Sequence, residues 1–303
     1  MDFKIAKKSN DVKWGELLLF SNGEIELQIP INIGPRITAF RLVDGANIFY
    51  EAPDIKEHFG SDEWFPYGGH RLWHAPEQNP RSYYPDNQPV RIVEEDGFVE
   101  VIQDVERTTG IQKKIRIHRA STGNNVRMDH ILINQGHWPI EFAGWSLSVL
   151  DKGGKAVIPL PKKIPFPEML LPSFPIIVWP YTELNDPRLK FSERYIHVSQ
   201  APGAKFPLKI GAACEKNWVG YFINNNFFVK KFEFQAGCTY PDFGSCVEIY
   251  TDGEMLELET LSPVQRIQPG EALIHSEEWE LWKTKGVPQS DLEIDASIPE
   301  SLL

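Results

Sequence analysis

Two stretches of this sequence concentrate ionisable side chains in patterns that suit catalysis or binding. Leu256-Glu257-Leu258-Glu259-Thr260-Leu261-Ser262-Pro263 alternates apolar and acidic residues and stops at Ser-Pro. A period of two reads as a half-buried strand and sets Glu257 and Glu259 on one face. Two carboxylates side by side suit acid/base work or a polyol site; they also suit an ordinary wet sheet face. The second stretch, His70-Arg71-Leu72-Trp73-His74-Ala75-Pro76-Glu77, holds two histidines four apart and a glutamate three further on. On a helix the histidine pair would have metal-ligand spacing. Gly68-Gly69 and Pro76 flank it, so a long helix is not expected there and no metal is assigned. Loop histidines beside Arg and Trp serve binding or acid/base roles, or simply satisfy loop backbone groups.

Sugar recognition needs aromatic faces for the C–H side of a ring and charged or amide groups for its hydroxyls. Trp64, Trp73, Trp145, Trp179 and Tyr181 could supply the faces. Arg71, Asp86, Asn87, Asp186, Arg188 and Asp242 could supply the polar contacts. The competing reading is core filling, since tryptophans are highly buried on average. Other chemistries lack their motifs: there is no GxGxxG, no phosphate-binding P-loop and no GxSxG elbow. No cofactor is expected.

The elements that must position these residues read as strands. Alternation or β-rich runs mark 24–29, 37–42, 98–105, 111–118, 126–133, 140–150, 194–198, 218–223, 227–234, 247–250, 256–261 and 277–282, broken by Asn-Gly, Asp-Gly and Gly-Gly turns. Residues 51–89 show little periodicity and read as a long, aromatic-rich loop. Residues 159–192 hold eight prolines and read as a rigid excursion. Strong helix signals are almost absent. The expected fold is all-β, a large antiparallel β-sandwich in a single domain over 1–286. An acidic C-terminal tail or loosely docked strap follows over 287–303.

The totals narrow the function. Net charge is −11 over 303 residues, without the basic clusters that nucleic acid or an anionic membrane would require. Three cysteines without CxxC spacing fit a reducing compartment. With no secretory leader or membrane span in evidence, the expectation is a cytoplasmic protein with a small-molecule partner. Oligomeric state is not legible.

Several fragments, in order along 24–283, resemble the galactose mutarotase-like (aldose 1-epimerase) superfamily. Gly34-Pro35-Arg36-Ile37-Thr38-Ala39-Phe40 resembles an early strand of that fold. Phe65-Pro66-Tyr67-Gly68-Gly69-His70-Arg71 is similar to its sugar-binding arginine loop. Leu258-Glu259-Thr260, followed by Pro269-Gly270-Glu271 and an aromatic strand ending at Trp279 and Trp282, looks like its late catalytic block. The resemblance implies a supersandwich with a carbohydrate cleft, and sugar ring opening by a carboxylate base and a histidine acid. Glu259 matches the base. The family's middle-strand histidine has no counterpart in Ala143-Gly144-Trp145-Ser146-Leu147-Ser148. That leaves His70 or His74 as the acid, with His130 a weaker candidate, or it leaves a binder that does not catalyse. Arg71, Trp73, Trp145, Trp179, Asp186 and Asp242 are the expected sugar contacts.

Overall fold

The computed structural model describes residues 4–118 and 123–303. Two large antiparallel sheets pack face to face. One is ten-stranded, with its centre formed by Trp218–Ile223, Asn226–Lys231, Ala272–Lys283, Asn125–Asn134 and Ile111–His118 in spatial order. The other runs Ile176–Val178, Leu208–Ala212, Val247–Thr251, Leu256–Leu261, Ile140–Leu150, Gly69–Ala75 and Arg36–Ile37. Its eighth strand, Gln265–Ile267, pairs with the start of Ile140–Leu150. A four-stranded sheet of Lys4–Asp11, Gly15–Ser21, Ile25–Pro30 and Ala39–Leu42 adjoins them. The all-β sandwich expected from the strand grammar is present. Phe98–Ile102 pairs with Ile111–His118 as the alternation predicts.

Period-two patterning decides which face each residue serves. Ile111, Lys113, Ile115 and Ile117 are buried while the residues between them are half-buried. The inward faces of both large sheets meet in one apolar core that includes Leu72, Ile115, Met128, Leu132, Leu258, Leu273 and Trp279. Burial at roughly 25 cal/mol per Å² of apolar surface is the main source of stability in such a core.

The structure departs from the sequence reading at one place that matters, and at another it takes one of the two alternatives left open. Within 51–89, expected to be loop, Gly69–Ala75 is a strand buried on both faces, lying between Ile140–Leu150 and Arg36–Ile37. Its polarity hid it: His70, Leu72 and His74 point inward, while Arg71, Trp73 and Ala75 point outward. The apolar/polar alternation that signals a strand is therefore missing. At the other end, 287–303 is docked. Ser290 caps the Asp291–Asp295 helix by accepting from the Glu293 amide. Ile294, Ile298 and Leu302 then pack on Tyr195, Trp218 and Phe227. Among the described residues, no helix is long and apolar enough to cross a membrane.

Candidate active site

The outer face of the eight-stranded sheet gathers the charged residues. Glu248 and Glu259 are directly opposite in register on neighbouring strands, as are Tyr250 and Glu257. Lys209 stands on the next strand, opposite Tyr250. Its ammonium lies 3.0 Å from Glu259 Oε2 and 2.7 Å from Glu248 Oε2. Trp145 donates its indole N–H to Glu259 Oε2 at 2.7 Å. Arg71 reaches across to Glu257 Oε1 at 2.9 Å. Aromatic rings wall the group. Lys209 Nζ is 4.8 Å from the ring centroids of both Trp145 and Trp179. The Arg71 guanidinium is 4.5 Å from Trp73 and 5.8 Å from Trp64, distances at which the ring quadrupole attracts a cation.

Three carboxyls here face two cations, so one acid is in surplus. Burial pushes the Glu248 carboxyl well up; Lys209 opposes this, and Glu259 and Asp242 reinforce it. Burial also raises Glu257, against Arg71. For Lys209 burial works toward neutrality, yet the two carboxylates hold the ammonium well above its usual range. Burial and the surplus acid thus both favour the proton on Glu248. Glu259 Oε1 and Glu248 Oε1 are both buried without a hydrogen-bond partner among the described residues. Buried polar atoms without partners are uncommon and call for an explanation.

The floor is closed to solvent: Glu248 and Glu259 are fully buried, and Arg71 and Lys209 are 4 % exposed. Trp64 and Tyr83 pack on Trp73 from outside. At the rim the Tyr83 hydroxyl donates to Glu77, which is exposed, and Tyr181 is 42 % exposed. Burial and the Glu77 carboxylate push the Tyr83 phenol up to about 12.

His70 and His74 do not share this face, which corrects the expectation that one of them works with Glu259. Four residues apart on their strand, and so on the same face, both point into the sandwich and are fully buried. His70 belongs to a buried polar chain linking the sheets. His130 donates Nδ1–H to the His275 carbonyl (3.0 Å), so its Nε2 accepts from His70 Nε2–H at 2.7 Å. His70 Nδ1 then accepts from the Ser148 hydroxyl at 3.0 Å. His275 Nε2 donates to Thr260 Oγ1 at 2.7 Å, and Thr260 and Ser146 both donate to Glu277. Lys230 lies 2.8 Å from Glu277 Oε1, and Trp279 donates to Oε2 at 2.7 Å. Burial would raise the Glu277 carboxyl, but Lys230 and three imidazoles hold it well below the usual range. The facing nitrogens of His70 and His130 and a Glu277 oxygen lie within 4.8 Å of one another. They already hydrogen-bond to protein groups, and Lys230 balances the carboxylate. This cluster is a cross-sheet polar tie.

Of the other expected sugar contacts, Trp73, Trp145, Trp179 and Arg71 converge on the outer face. Asp242 sits in a left-handed turn (φ 49°) close enough to influence Glu248. Asp186 is turned onto Arg188, 2.7 Å away, which also bonds the Phe206 carbonyl. Lys209 and Glu248 were not singled out by the sequence reading. The available signal was a single charge inside each of two apolar runs, Leu208-Lys209-Ile210 and Val247-Glu248-Ile249.

No protein-family model and no curated protein matches this chain. Solved structures do. A TPR-domain-containing protein of Parabacteroides distasonis aligns with TM-score 0.60 and 12% identity over 94% of this chain. The chain spans only about half of that longer protein, 49%. A Klebsiella pneumoniae protein provisionally named an aldose 1-epimerase gives 0.56 and 11% over 93% of this chain and 83% of that one. A galactose mutarotase related enzyme from Lactobacillus acidophilus gives 0.51 and 10% over 90% and 100%. At these identities the likeness is one of architecture, and it agrees with the order of motifs along the sequence: the chain has the galactose mutarotase-like fold.

Proposed function

We propose that the outer face of the eight-stranded sheet binds a sugar or sugar derivative and interconverts its anomers by acid/base ring opening. The observation that carries this reading is the Glu248–Lys209–Glu259 group under Trp145. It sets two carboxyls on one ammonium, each with an unpartnered oxygen, beneath an aromatic wall. Glu259, ionised, removes the proton from the anomeric hydroxyl. The C1–O5 bond breaks as O1 becomes carbonyl, and protonated Glu248 gives its proton to O5. After rotation about C1–C2 the steps reverse and both carboxyls regain their starting states. Separated pKa values in one site are what such a pair requires. Trp73 and Trp145 supply the C–H contacts, and Arg71 with Glu257 a hydroxyl clamp. Entry requires the outer aromatics, Trp64 and Tyr83, to move aside.

A second reading is a carbohydrate binder without turnover. It is favoured by the position of His70 and His74 behind the sheet, and by the prior engagement of Arg71 and Lys209 with carboxylates. A panel of free and phosphorylated sugars, followed by thermal shift and by NMR anomer exchange on the same samples, separates the two. Faster exchange with one sugar supports the enzyme. Stabilisation at unchanged exchange rates supports the binder, and no response to any sugar rejects both.

A further inference from the structure

A cavity of about 360 Å³ opens at one end of the sandwich, its lining including His74, Arg81, Ile111, Ile140, Glu141 and Phe142. His74 reaches it from the inward side of the Gly69–Ala75 strand, whereas Arg71 and Trp73 serve the outer face. The cavity is thus a different place from the candidate active site.

Its polar groups are unsatisfied. His74 is fully buried, yet neither Nδ1 nor Nε2 has a hydrogen-bond partner among the described residues. Whatever its tautomer, a neutral imidazole carries one donor and one acceptor, so two bonding sites are left open. Arg81 donates one Nη to the Pro76 carbonyl, while its buried Nε has no partner. No ion pair joins it to a carboxylate among the described residues. The neighbouring charges are already matched: Lys113 is paired to Glu106, and Thr109 also donates to Glu106. The Arg81 Nε–H and the histidine N–H therefore both lack an acceptor, beside walls of Ile111, Ile140 and Phe142.

We infer that this cavity is a binding site for a small monocarboxylate with an apolar body. The carboxylate would accept from Arg81, where a planar fork suits two oxygens, and from the His74 N–H. The hydrocarbon part would lie on Ile111, Ile140 and Phe142. Glu141, exposed at the lining, disfavours a doubly charged phosphate, and a single guanidinium does not neutralise one. The volume lies within the range of small-molecule sites.

The test uses the full chain labelled with nitrogen-15 at histidine, titrated with sodium benzoate and sodium isobutyrate. Benzamide and inorganic phosphate serve as controls. The expected result is a saturable shift of the His74 ring nitrogens with at least one carboxylate. Affinity should fall tenfold or more in Arg81→Gln, whose side chain is only partly buried, and in His74→Phe, with the folded spectrum otherwise retained. Benzamide should bind at least tenfold more weakly than benzoate. Failure of both carboxylates to move His74, equal binding of benzamide, or tighter binding of phosphate would each overturn the assignment. A His74 signal that responds to no solute would mean that solvent alone fills the cavity.

Discussion

Glu248 and Glu259 have the same side chain and the same burial, and differ in their neighbours. Glu259 accepts from both Trp145 and Lys209, whereas Glu248 meets only the ammonium and feels Asp242 behind it. The difference predicts unequal costs. Lys209→Met strands buried carboxylate charge and should destabilise the protein by about 3–5 kcal/mol in urea unfolding. Glu248→Gln replaces a carboxyl that burial pushes toward its neutral form and should cost less than about 1.5 kcal/mol. A reversed order would mean that Glu248 is ionised. Glu257 and Glu259 were legible as a carboxylate pair because alternation sets them on one face, and the family resemblance then singled out Glu259. Lys209 and Glu248 were not, because a single charge between apolar residues does not reveal which face it serves until the strands are paired. His70 and His74 misled for the same reason: in a segment read as loop, nothing told their side of the chain from Arg71's.

At the scale of elements, the Gly69–Ala75 strand divides the chemistry of the molecule. One edge of the motif feeds the outer charged face, and the other feeds the cross-sheet tie and the end cavity. Its entry is tightly fixed. Gly68 has φ 87° and meets the Tyr50 backbone so closely that an added Cβ would collide with the carbonyl oxygen. Gly68→Ala should therefore lower stability by more than the roughly 1 kcal/mol typical of glycine-to-alanine effects, with weakened sugar response, in thermal and binding assays. The cross-sheet tie should be more sensitive still. Glu277→Gln leaves Lys230 charged and uncompensated inside the core and should cost about 3–5 kcal/mol in denaturant unfolding. The C-terminal segment is also an element of the fold: Ile294→Ala removes a fully buried side chain and should cost about 2–5 kcal/mol. The sequence left it open as a tail or a loosely docked strap, because Ile294, Ile298 and Leu302 in an acidic context show no period.

For the whole molecule, burial of ionisable groups sets the response to pH. His70, His74, His130 and His275 are all held below the ordinary imidazole range, chiefly by burial, with His275 lowered to about 3. The unfolded chain therefore binds more protons than the native one below about pH 6.5. Stability is full above that value and falls as pH drops toward the folded values, by up to about 1.4 kcal/mol per unit for each imidazole. Glu248 and Glu257, raised in the fold, act in the opposite sense above their unfolded values. Four imidazoles outweigh two carboxyls, so Tm should fall from pH 6.5 to pH 4.5; a flat or rising Tm would show that these histidines are not buried as neutral groups. The architecture itself was readable from strand spacing and turn residues, which are local. The candidate site was only partly readable, since it is assembled by strands distant in sequence.

Anomer-exchange NMR on wild type and Glu259→Gln, with a sugar that stabilises both, tests the central claim most directly. Exchange should be accelerated by the wild type and abolished in Glu259→Gln while sugar affinity stays within a few-fold, because the variant loses the base and keeps the shape. Undiminished exchange in Glu259→Gln would contradict that claim and remove Glu259 from the chemistry.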